Sequence, residues 1–227
     1  RIRRVHIEED AGKSIHDRVE EGTFVDLNRA GVPLVEIVTE PDLESPSQAR
    51  AFLQGLKRTL EYLEVSDCNM EEGSLRVDAN LSVRGAGSDT LGVKTEVKNL
   101  NSFSAVERAL ELEAERQFGV LEGGGAVVQQ TLLWDERSGM VRPMRTKEES
   151  HDYRYFPDPD LPPLRLSRER IERLKKALPE LPEERAKRLL EQLDVGEDDV
   201  EVLTSSRSLA DFFEGVAARV EDAKVAA

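Results

Sequence analysis

The strongest constraint on the fold is a strict alternation of apolar and polar residues along residues 73–84. Successive side chains of a β-strand point to opposite faces, so this pattern predicts a strand with one apolar face and one polar face. Residues 93–98 repeat the alternation, and residues 85–89 supply the glycine, serine and aspartate that favour turns. We therefore predict a hairpin of an antiparallel sheet, with its apolar face in the core.

Two helices are predicted to pack on that apolar face. Residues 46–63 begin with a proline after Ser45, and their apolar residues recur at the spacing of one buried stripe. Residues 103–121 follow a serine and end before three glycines, where glycine favours a left-handed cap. These elements predict the α+β class, with an antiparallel sheet that has helices packed on one face. We expect three strands with acidic residues to belong to this one sheet, namely those that carry Glu36, Asp78 and Glu96.

A proline-rich stretch at residues 156–164 separates two regions of different character. Strands and helices are mixed before it, whereas the periodicity after it is helical. We predict one domain over residues 1–165 and the start of an all-α domain over residues 166–227. The sequence begins inside a strand pattern and stops inside a helical pattern, so we expect it to be a section of a longer polypeptide.

The charge balance limits the partners that this protein can bind. The sequence has 46 acidic and 32 basic residues, and its formal net charge of −14 repels nucleic-acid phosphate over most of the surface. Any contact with nucleic acid must therefore be local or shared with a partner. The single cysteine, Cys68, excludes a disulfide framework, and no run approaches the ~18 apolar residues of a membrane span. We expect a protein of the cytoplasm.

Carboxylates at three places are candidates for chemistry. Glu36 interrupts the apolar run of residues 32–38 and shares a face with Leu34 and Val38, so we expect a buried carboxylate that is protonated, paired with a cation or bound to a metal. Three acidic residues at positions 8–10 can bind a hard cation such as Mg²⁺ or form a solvated turn. The polar face of the predicted hairpin is either solvated or a charged floor for a polyanionic substrate.

Spacing excludes several other common sites. Residues 12–14 read Gly-Lys-Ser, but the glycine that a phosphate-binding loop needs five positions before Gly12 is Ile7. The three histidines lack the spacing of zinc ligands, and Cys68 has no histidine nearby to act as its base. A zinc site and a cysteine nucleophile are therefore not expected.

Five motifs, in this order along the chain, resemble the B subunits of tRNA-dependent amidotransferases, the GatB family. They lie at residues 5–13, 26–38, 70–80, 98–103 and 152–157. The resemblance covers about the whole chain, is strongest before residue 166, and corresponds to the middle of such a subunit. It implies a cradle-type catalytic domain that uses ATP and Mg²⁺ to phosphorylate the side-chain carboxylate of Glu-tRNA(Gln) or Asp-tRNA(Asn). Ammonia then displaces the phosphate.

The resemblance also implies site residues. The Mg²⁺-binding acids of the family fall on Glu9, Glu36 and Asp78. Other ligands of the family, including a histidine, belong to a preceding part of the subunit, and His6 is not expected to be that histidine. The cations that can contact phosphate or substrate are Lys13, Arg76, Lys98 and Arg154. The same residues would be expected if these cations only formed ion pairs with neighbouring acids. For Arg154, they would also be expected if its loop only anchored aromatic side chains in the core.

The partners implied by the resemblance are a GatA-type glutaminase subunit that supplies ammonia, a small GatC-type subunit, and misacylated tRNA. The chain would then be part of a ligase and inactive by itself. The alternative is a scaffold that holds tRNA or the glutaminase subunit while the chemistry happens elsewhere.

Overall fold

The computed structural model of this protein describes residues 1–15, 23–144, 162–193 and 195–220, without the side chain of Lys13. The chain divides into two compact units, Arg1–Ser45 and Pro46–Ala227. The strands of the first unit are β1 (Ile2–Glu9), β2 (Lys13–Ile15), β3 (Phe24–Asp26) and β4 (Pro33–Thr39). Those of the second are β5 (Ala79–Leu81), β6 (Thr95–Lys98), β7 (Thr131–Asp135) and β8 (Met140–Pro143).

The helices all lie in the second unit as far as the structure describes it. They are α1 (Pro46–Tyr62), α2 (Phe103–Glu122), α3 (Arg168–Ala177), α4 (Pro182–Gln192), α5 (Glu197–Leu203) and α6 (Arg207–Ala217). The predicted α+β class is therefore confirmed, and so is the helical character after residue 166. The division into domains at residues 165 and 166 stays a prediction. None of the helices in the described ranges is both long and apolar enough to cross a membrane.

In the first unit, β1 and β4 form an antiparallel pair, and so do β2 and β3. The β1–β4 register places Val5 opposite Ile37 and Ile7 opposite Val35, which gives one face an apolar row. The opposite face carries His6 and the acidic residues described below. Both faces are at least partly exposed, because no described residue of this unit is fully buried.

In the second unit, the sheet has the order β5-β6-β7-β8. The predicted antiparallel pairing is confirmed, with Ala79 opposite Val97, but the first strand is only Ala79–Leu81 and not the whole of residues 73–84. The pair β6–β7 is parallel and β7–β8 is antiparallel, so the sheet is mixed. Two parallel neighbouring strands need a long crossover between them. Helix α2 provides that crossover between β6 and β7.

Helix α2 packs on the apolar face of this sheet, as predicted, whereas α1 packs mainly on α2 and reaches the same core through Leu53. The core combines residues of α1, β6, the β6–α2 connection, α2 and β7, which are Leu53, Val97, Leu100, Ala105, Val106, Ala109, Leu110, Leu132 and Trp134. Helix α2 begins where the Ser102 side chain accepts a hydrogen bond from the Ala105 backbone N–H. It ends near Gly124, whose φ of +73° is the left-handed conformation that glycine favours.

A buried polar network joins α2 to the sheet. Glu113 and Gln117, one turn apart on α2, and Thr95 on β6 are fully buried. The Glu113 carboxylate accepts hydrogen bonds from Thr95 Oγ1 at 2.8 Å and Gln117 Nε2 at 2.9 Å. Gln117 Oε1 in turn accepts from the Val83 backbone N–H at 3.1 Å. The network therefore satisfies polar groups at the end of β5 that would otherwise be unpaired.

The expectation of a single sheet for Glu36, Asp78 and Glu96 is wrong. Glu36 lies on β4, which pairs with β1 in a two-stranded sheet, whereas Glu96 lies on β6 of the four-stranded sheet. Asp78 comes directly before β5. The error has a physical reason, because alternation determines which face a residue occupies and leaves the partner strand undetermined.

The helices after residue 166 have a core of their own and also contact α1. That core contains Leu189, Val195, Val200, Leu203 and Phe213. The fully buried Tyr62, the last residue of α1, donates a hydrogen bond from its hydroxyl to the Thr204 carbonyl at 2.9 Å. This bond joins residues that are 142 positions apart in the sequence.

Candidate functional site

The first group of candidate side chains lies on one face of the β1–β4 pair. The register places His6 opposite Glu36, and Glu8 follows His6 on the same face. His6 Nδ1 is 3.1 Å from Glu36 Oε2 and 3.8 Å from Glu8 Oε1. One ligand atom from each of these residues lies within 4.8 Å of the others. This His6 cluster (His6, Glu8 and Glu36) has a nitrogen and two carboxylate oxygens close enough to share a cation.

Glu36 is not the buried carboxylate that the sequence predicted. Its side chain is 39% exposed, and Arg4 Nη2 lies 4.0 Å from its Oε2 in addition to the His6 contact. The face that Glu36 shares with Leu34 and Val38 is only half-buried, so the carboxylate keeps access to water. The prediction that it has a cationic or metal partner is met in part by Arg4.

The three consecutive acids at positions 8–10 have three different environments. Glu8 belongs to the His6 cluster, while Glu9 lies opposite Pro33 on the other face of the strand pair. Asp10 accepts a hydrogen bond of 2.9 Å from Arg29 Nε. The structure therefore brings Glu8 next to Glu36 and points Glu9 to the opposite side.

The second group lies on the polar face of the four-stranded sheet. Lys98 Nζ is 2.7 Å from Asp78 Oδ2 and 3.4 Å from Glu96 Oε1. The other oxygen of Glu96 accepts a hydrogen bond of 3.2 Å from Thr131 Oγ1. We call Asp78, Glu96 and Lys98 the Lys98 cluster; the Asp78 side chain is 50% exposed.

The electrostatics of the Lys98 cluster keep the lysine charged. Burial by itself would lower the pKa of Lys98, but the hydrogen bond and the charge of Asp78, together with Glu96, more than offset that effect. The pKa of Lys98 is therefore raised, and the ammonium group stays protonated at physiological pH. In this arrangement Lys98 is paired with two acids, which is the alternative to a phosphate contact that the sequence left open.

Of the other cationic side chains predicted to contact phosphate or substrate, the structure describes only that of Arg76. Arg76 is exposed and precedes Asp78 by two residues in the alternating run. The side chain of Lys13 and all of Arg154 lie outside the described residues. Sequence reasoning missed the joint placement of His6 and Glu8 with Glu36. The alternation in residues 2–9 could have put His6 and Glu8 on one face, but only the β1–β4 register brings Glu36 to them.

Residues 1–172 match the family described as the GatB/GatE catalytic domain. The chain belongs to this family. It is 58% identical over 226 residues to the B subunit of the aspartyl/glutamyl-tRNA(Asn/Gln) amidotransferase of Moorella thermoacetica, covering 99% of this chain and 48% of that protein. It is 58% identical over 213 residues to the same subunit of Caldicellulosiruptor bescii, covering 94% and 44%.

A third relative is the corresponding subunit of Chlorobium phaeobacteroides, 54% identical over 226 residues, which covers 100% of this chain and 47% of that protein. The chain thus spans about half the length of the curated relatives that it matches. The family match takes in both the His6 cluster and the Lys98 cluster, since both lie before residue 172.

Proposed function

We propose that this chain contributes to the catalytic core of the B subunit of a tRNA-dependent amidotransferase. In the proposed reaction, a side-chain carboxylate oxygen of Glu-tRNA(Gln) or Asp-tRNA(Asn) attacks the γ-phosphorus of ATP, and ADP leaves. Ammonia then attacks the activated carbonyl carbon, and phosphate leaves. The net product is the amide, Gln-tRNA(Gln) or Asn-tRNA(Asn).

The observation that carries this proposal is the convergence of His6, Glu8 and Glu36 on one half-buried strand face. All three lie within motifs by which the sequence resembles the GatB family. Accessible carboxylates on a paired β-strand are suited to hold a cation at a polyanionic substrate, because the paired backbone keeps the ligand positions fixed before substrate binds.

The donor set fits Mg²⁺, which prefers oxygen ligands and keeps several waters. The resemblance implies Glu9, Glu36 and Asp78 as metal-binding acids, and within the first unit the geometry favours Glu36 together with Glu8, since Glu9 lies on the other face of the strand pair. Bound Mg²⁺ supplies neutralisation of the charge that develops on a transferred phosphoryl group. His6 Nδ1 lies 3.1 Å from Glu36 Oε2, and by donating a hydrogen bond to that carboxylate it orients it.

The other residues of the chain act by binding and orientation in this proposal. Arg76 is exposed, precedes Asp78 by two residues, and has a planar guanidinium of the kind that binds phosphate oxygens. Lys13 and Arg154 stay candidate contacts for phosphate or substrate. Tight recognition of tRNA by this chain alone is disfavoured by its net charge of −14.

The proposed partners follow from the same family. A GatA-type glutaminase subunit supplies ammonia, a small GatC-type subunit completes the complex, and misacylated tRNA is the substrate. We place the activity in the bacterial cytoplasm, where aminoacyl-tRNAs are used. The names of the relatives, which are B subunits of aspartyl/glutamyl-tRNA(Asn/Gln) amidotransferases, support a complex of several subunits.

The test is to substitute Glu36→Gln in the complete amidotransferase complex and to measure three activities separately. Glutamine hydrolysis should be unchanged, whereas phosphorylation of the aminoacyl-tRNA and amide formation should fall by about 100-fold. A loss of this size is expected because metal-ion catalysis contributes several kcal/mol of charge stabilisation. Asp78→Asn is expected to give the same pattern.

The matched control is Glu122→Gln, an exposed carboxylate at the end of α2 that lies outside both clusters. It should leave all three activities at the parental level. If Glu36→Gln folds normally and still phosphorylates the aminoacyl-tRNA at the parental rate and Mg²⁺ dependence, the non-catalytic scaffold is the better account of this chain.

A further inference from the structure

Helix α6 has apolar residues on two of its faces. Phe213 belongs to the core of the C-terminal helices, Ala217 packs against that core, and Ala210 is fully buried. These three residues lie at i, i+3 and i+7, so they form one row along the helix. A second row, one position before the first, consists of Leu209, Phe212 and Val216. We call these three residues the second stripe.

The second stripe is exposed in the part of the chain that the structure describes. Phe212 is 70% exposed and Leu209 is 36% exposed, whereas Val216 is half-buried. Their spacing is again i, i+3 and i+7, which is the pattern of a helix that packs against another element. Helix α6 therefore has the pattern of a helix with neighbours on two sides, and only one of these sides is covered.

We propose that the second stripe is the docking surface for an amphipathic helix from the part of the B subunit that this chain does not contain. The chain spans about half the length of its curated relatives, so the complete subunit has further polypeptide for this contact. The contact concerns the assembly of the subunit, and it is independent of the proposed chemistry.

The size of the second stripe favours a segment of the same polypeptide over a separate partner. From Leu209 to Val216 the stripe extends over about 11 Å of helix. A stable interface between separate proteins buries roughly 800 Å² on each of them and uses about 20–30 residues a side. A tethered helix has a high effective concentration at the stripe and avoids most of the entropy cost of association, so a small apolar contact is sufficient.

The charge of α6 disfavours nucleic acid as the occupant. The helix contains one cation, Arg207, and two acids, Asp211 and Glu214, which gives it a net charge of 1 − 2 = −1. Binding to a phosphate backbone depends on cations. Every described element after residue 166 is a helix, and a row of side chains with this spacing fits between the side chains of another helix. The occupant is therefore expected to be helical and apolar on the contacting face.

The experiment measures how fast a maleimide reacts with introduced cysteines in the isolated full-length B subunit. Phe212→Cys and Leu209→Cys report on the second stripe. The matched control is Ala218→Cys, since Ala218 is exposed directly after α6 and lies about 120° around the helix from Phe212. Cys68 is buried, and the labelling of the parental subunit is subtracted. The two stripe cysteines should react at least about tenfold more slowly than the control, because the covering helix must first open.

A second pair of variants covers the case in which a cysteine itself weakens the contact. Phe212→Gln in the full-length subunit should lower the melting temperature by about 4 °C or more, because it places a polar amide beneath the covering helix. Glutamine has a higher helix propensity than phenylalanine, so an uncovered site would lose no stability. The control Ala218→Gln should change the melting temperature by less than about 1 °C.

Protection of both stripe cysteines at every protein concentration supports the proposed contact. Rates equal to that of Ala218→Cys overturn it, also when added partner subunits then slow the reaction, because the occupant would be another protein. Protection only at high protein concentration identifies a second copy of the subunit and likewise overturns it. If the cysteine variants fold poorly, equal melting temperatures of Phe212→Gln and Ala218→Gln overturn the contact, and a lower value for Phe212→Gln alone supports it. Phosphorylation is not measured in these assays, so the contact and the proposed function can fail separately.

Discussion

Substitution of Glu113 tests the buried network that joins α2 to the sheet. Glu113 is fully buried, and its oxygens accept four hydrogen bonds, two of them from Arg116 at 2.7 and 2.8 Å. Glu113→Gln keeps the volume of the side chain but removes its charge. It also replaces one accepting carboxylate oxygen by an amide NH₂ group, which is a donor. This NH₂ group would face the donors of Thr95, Arg116 and Gln117.

The expected loss in the free energy of unfolding follows from the environment of the Glu113–Arg116 ion pair. Loss of one partner from a buried ion pair costs about 3–5 kcal/mol. Arg116 is 40% exposed and can be solvated after the change, so we expect the lower end of that range, about 3 kcal/mol. For a folded unit of this size each kcal/mol corresponds to roughly 2–4 °C, which predicts a fall of about 6–12 °C in melting temperature.

The assay is urea unfolding of the 227-residue chain, followed by the fluorescence of Trp134. This is the single tryptophan of the sequence, and it lies in the core to which α2 contributes. The matched control is Glu111→Gln on the same helix, an exposed carboxylate that pairs with Arg108 at 3.1 Å. The control should change the free energy of unfolding by less than about 0.5 kcal/mol.

The pH dependence gives a second measure of the same interaction. Burial by itself would raise the pKa of Glu113, but the hydrogen bonds from Arg116, Gln117 and Thr95 more than offset burial, and the pKa lies below its ordinary value. A depressed pKa stabilises the folded state above the unfolded value of about 4.3, and this stabilisation is lost as the pH falls through the lower folded value. The difference in the free energy of unfolding between the parental chain and Glu113→Gln should therefore become smaller below about pH 4. If Glu113→Gln and Glu111→Gln lower the free energy of unfolding equally at pH 7, the buried network does not contribute the proposed stability.

Three other predictions address the helix cap, the contact between α1 and the C-terminal helices, and the independence of the chain. Ser102→Ala should lower the free energy of unfolding by about 1 kcal/mol, measured by urea unfolding, because the Ala105 N–H loses its acceptor; Ser102→Asp, which also caps, should not. Tyr62→Phe should lower the free energy of unfolding by about 1–3 kcal/mol, because the buried Thr204 carbonyl loses its hydrogen-bond donor. It should also increase hydrogen exchange in α5 and α6, and equal exchange in the two proteins would contradict this. Residues 1–227 alone should form no amide on Glu-tRNA(Gln) even with ammonia supplied, and product above background in that assay would show that the chain needs no partner.

The sequence by itself determined the elements whose causes are local. Helices α1 and α2 were predicted to within one residue at each end, because a stripe of apolar residues, a proline or serine at the start and glycines at the end all lie within the helix or next to it. The β5–β6 hairpin was predicted for the same reason, since period-two alternation and turn residues are short-range signals. The five motifs of the resemblance were sufficient to indicate the family.

Only the tertiary structure decided which strands pair and which charges meet. Nothing in the local pattern of β4 indicates that β1 is its partner, so the contact between His6 and Glu36 and the orientation of Glu9 depend on a register between distant segments. Lys98 has the same dependence, because Asp78 is 20 residues away and reaches it only after β5 pairs with β6. Glu113 resembles any other charged residue of a helix in the sequence, yet the packing of α2 on the sheet buries it and supplies its donors. Charges have no periodicity that reveals their partners, and their free energy depends on the burial and distance that long-range packing creates.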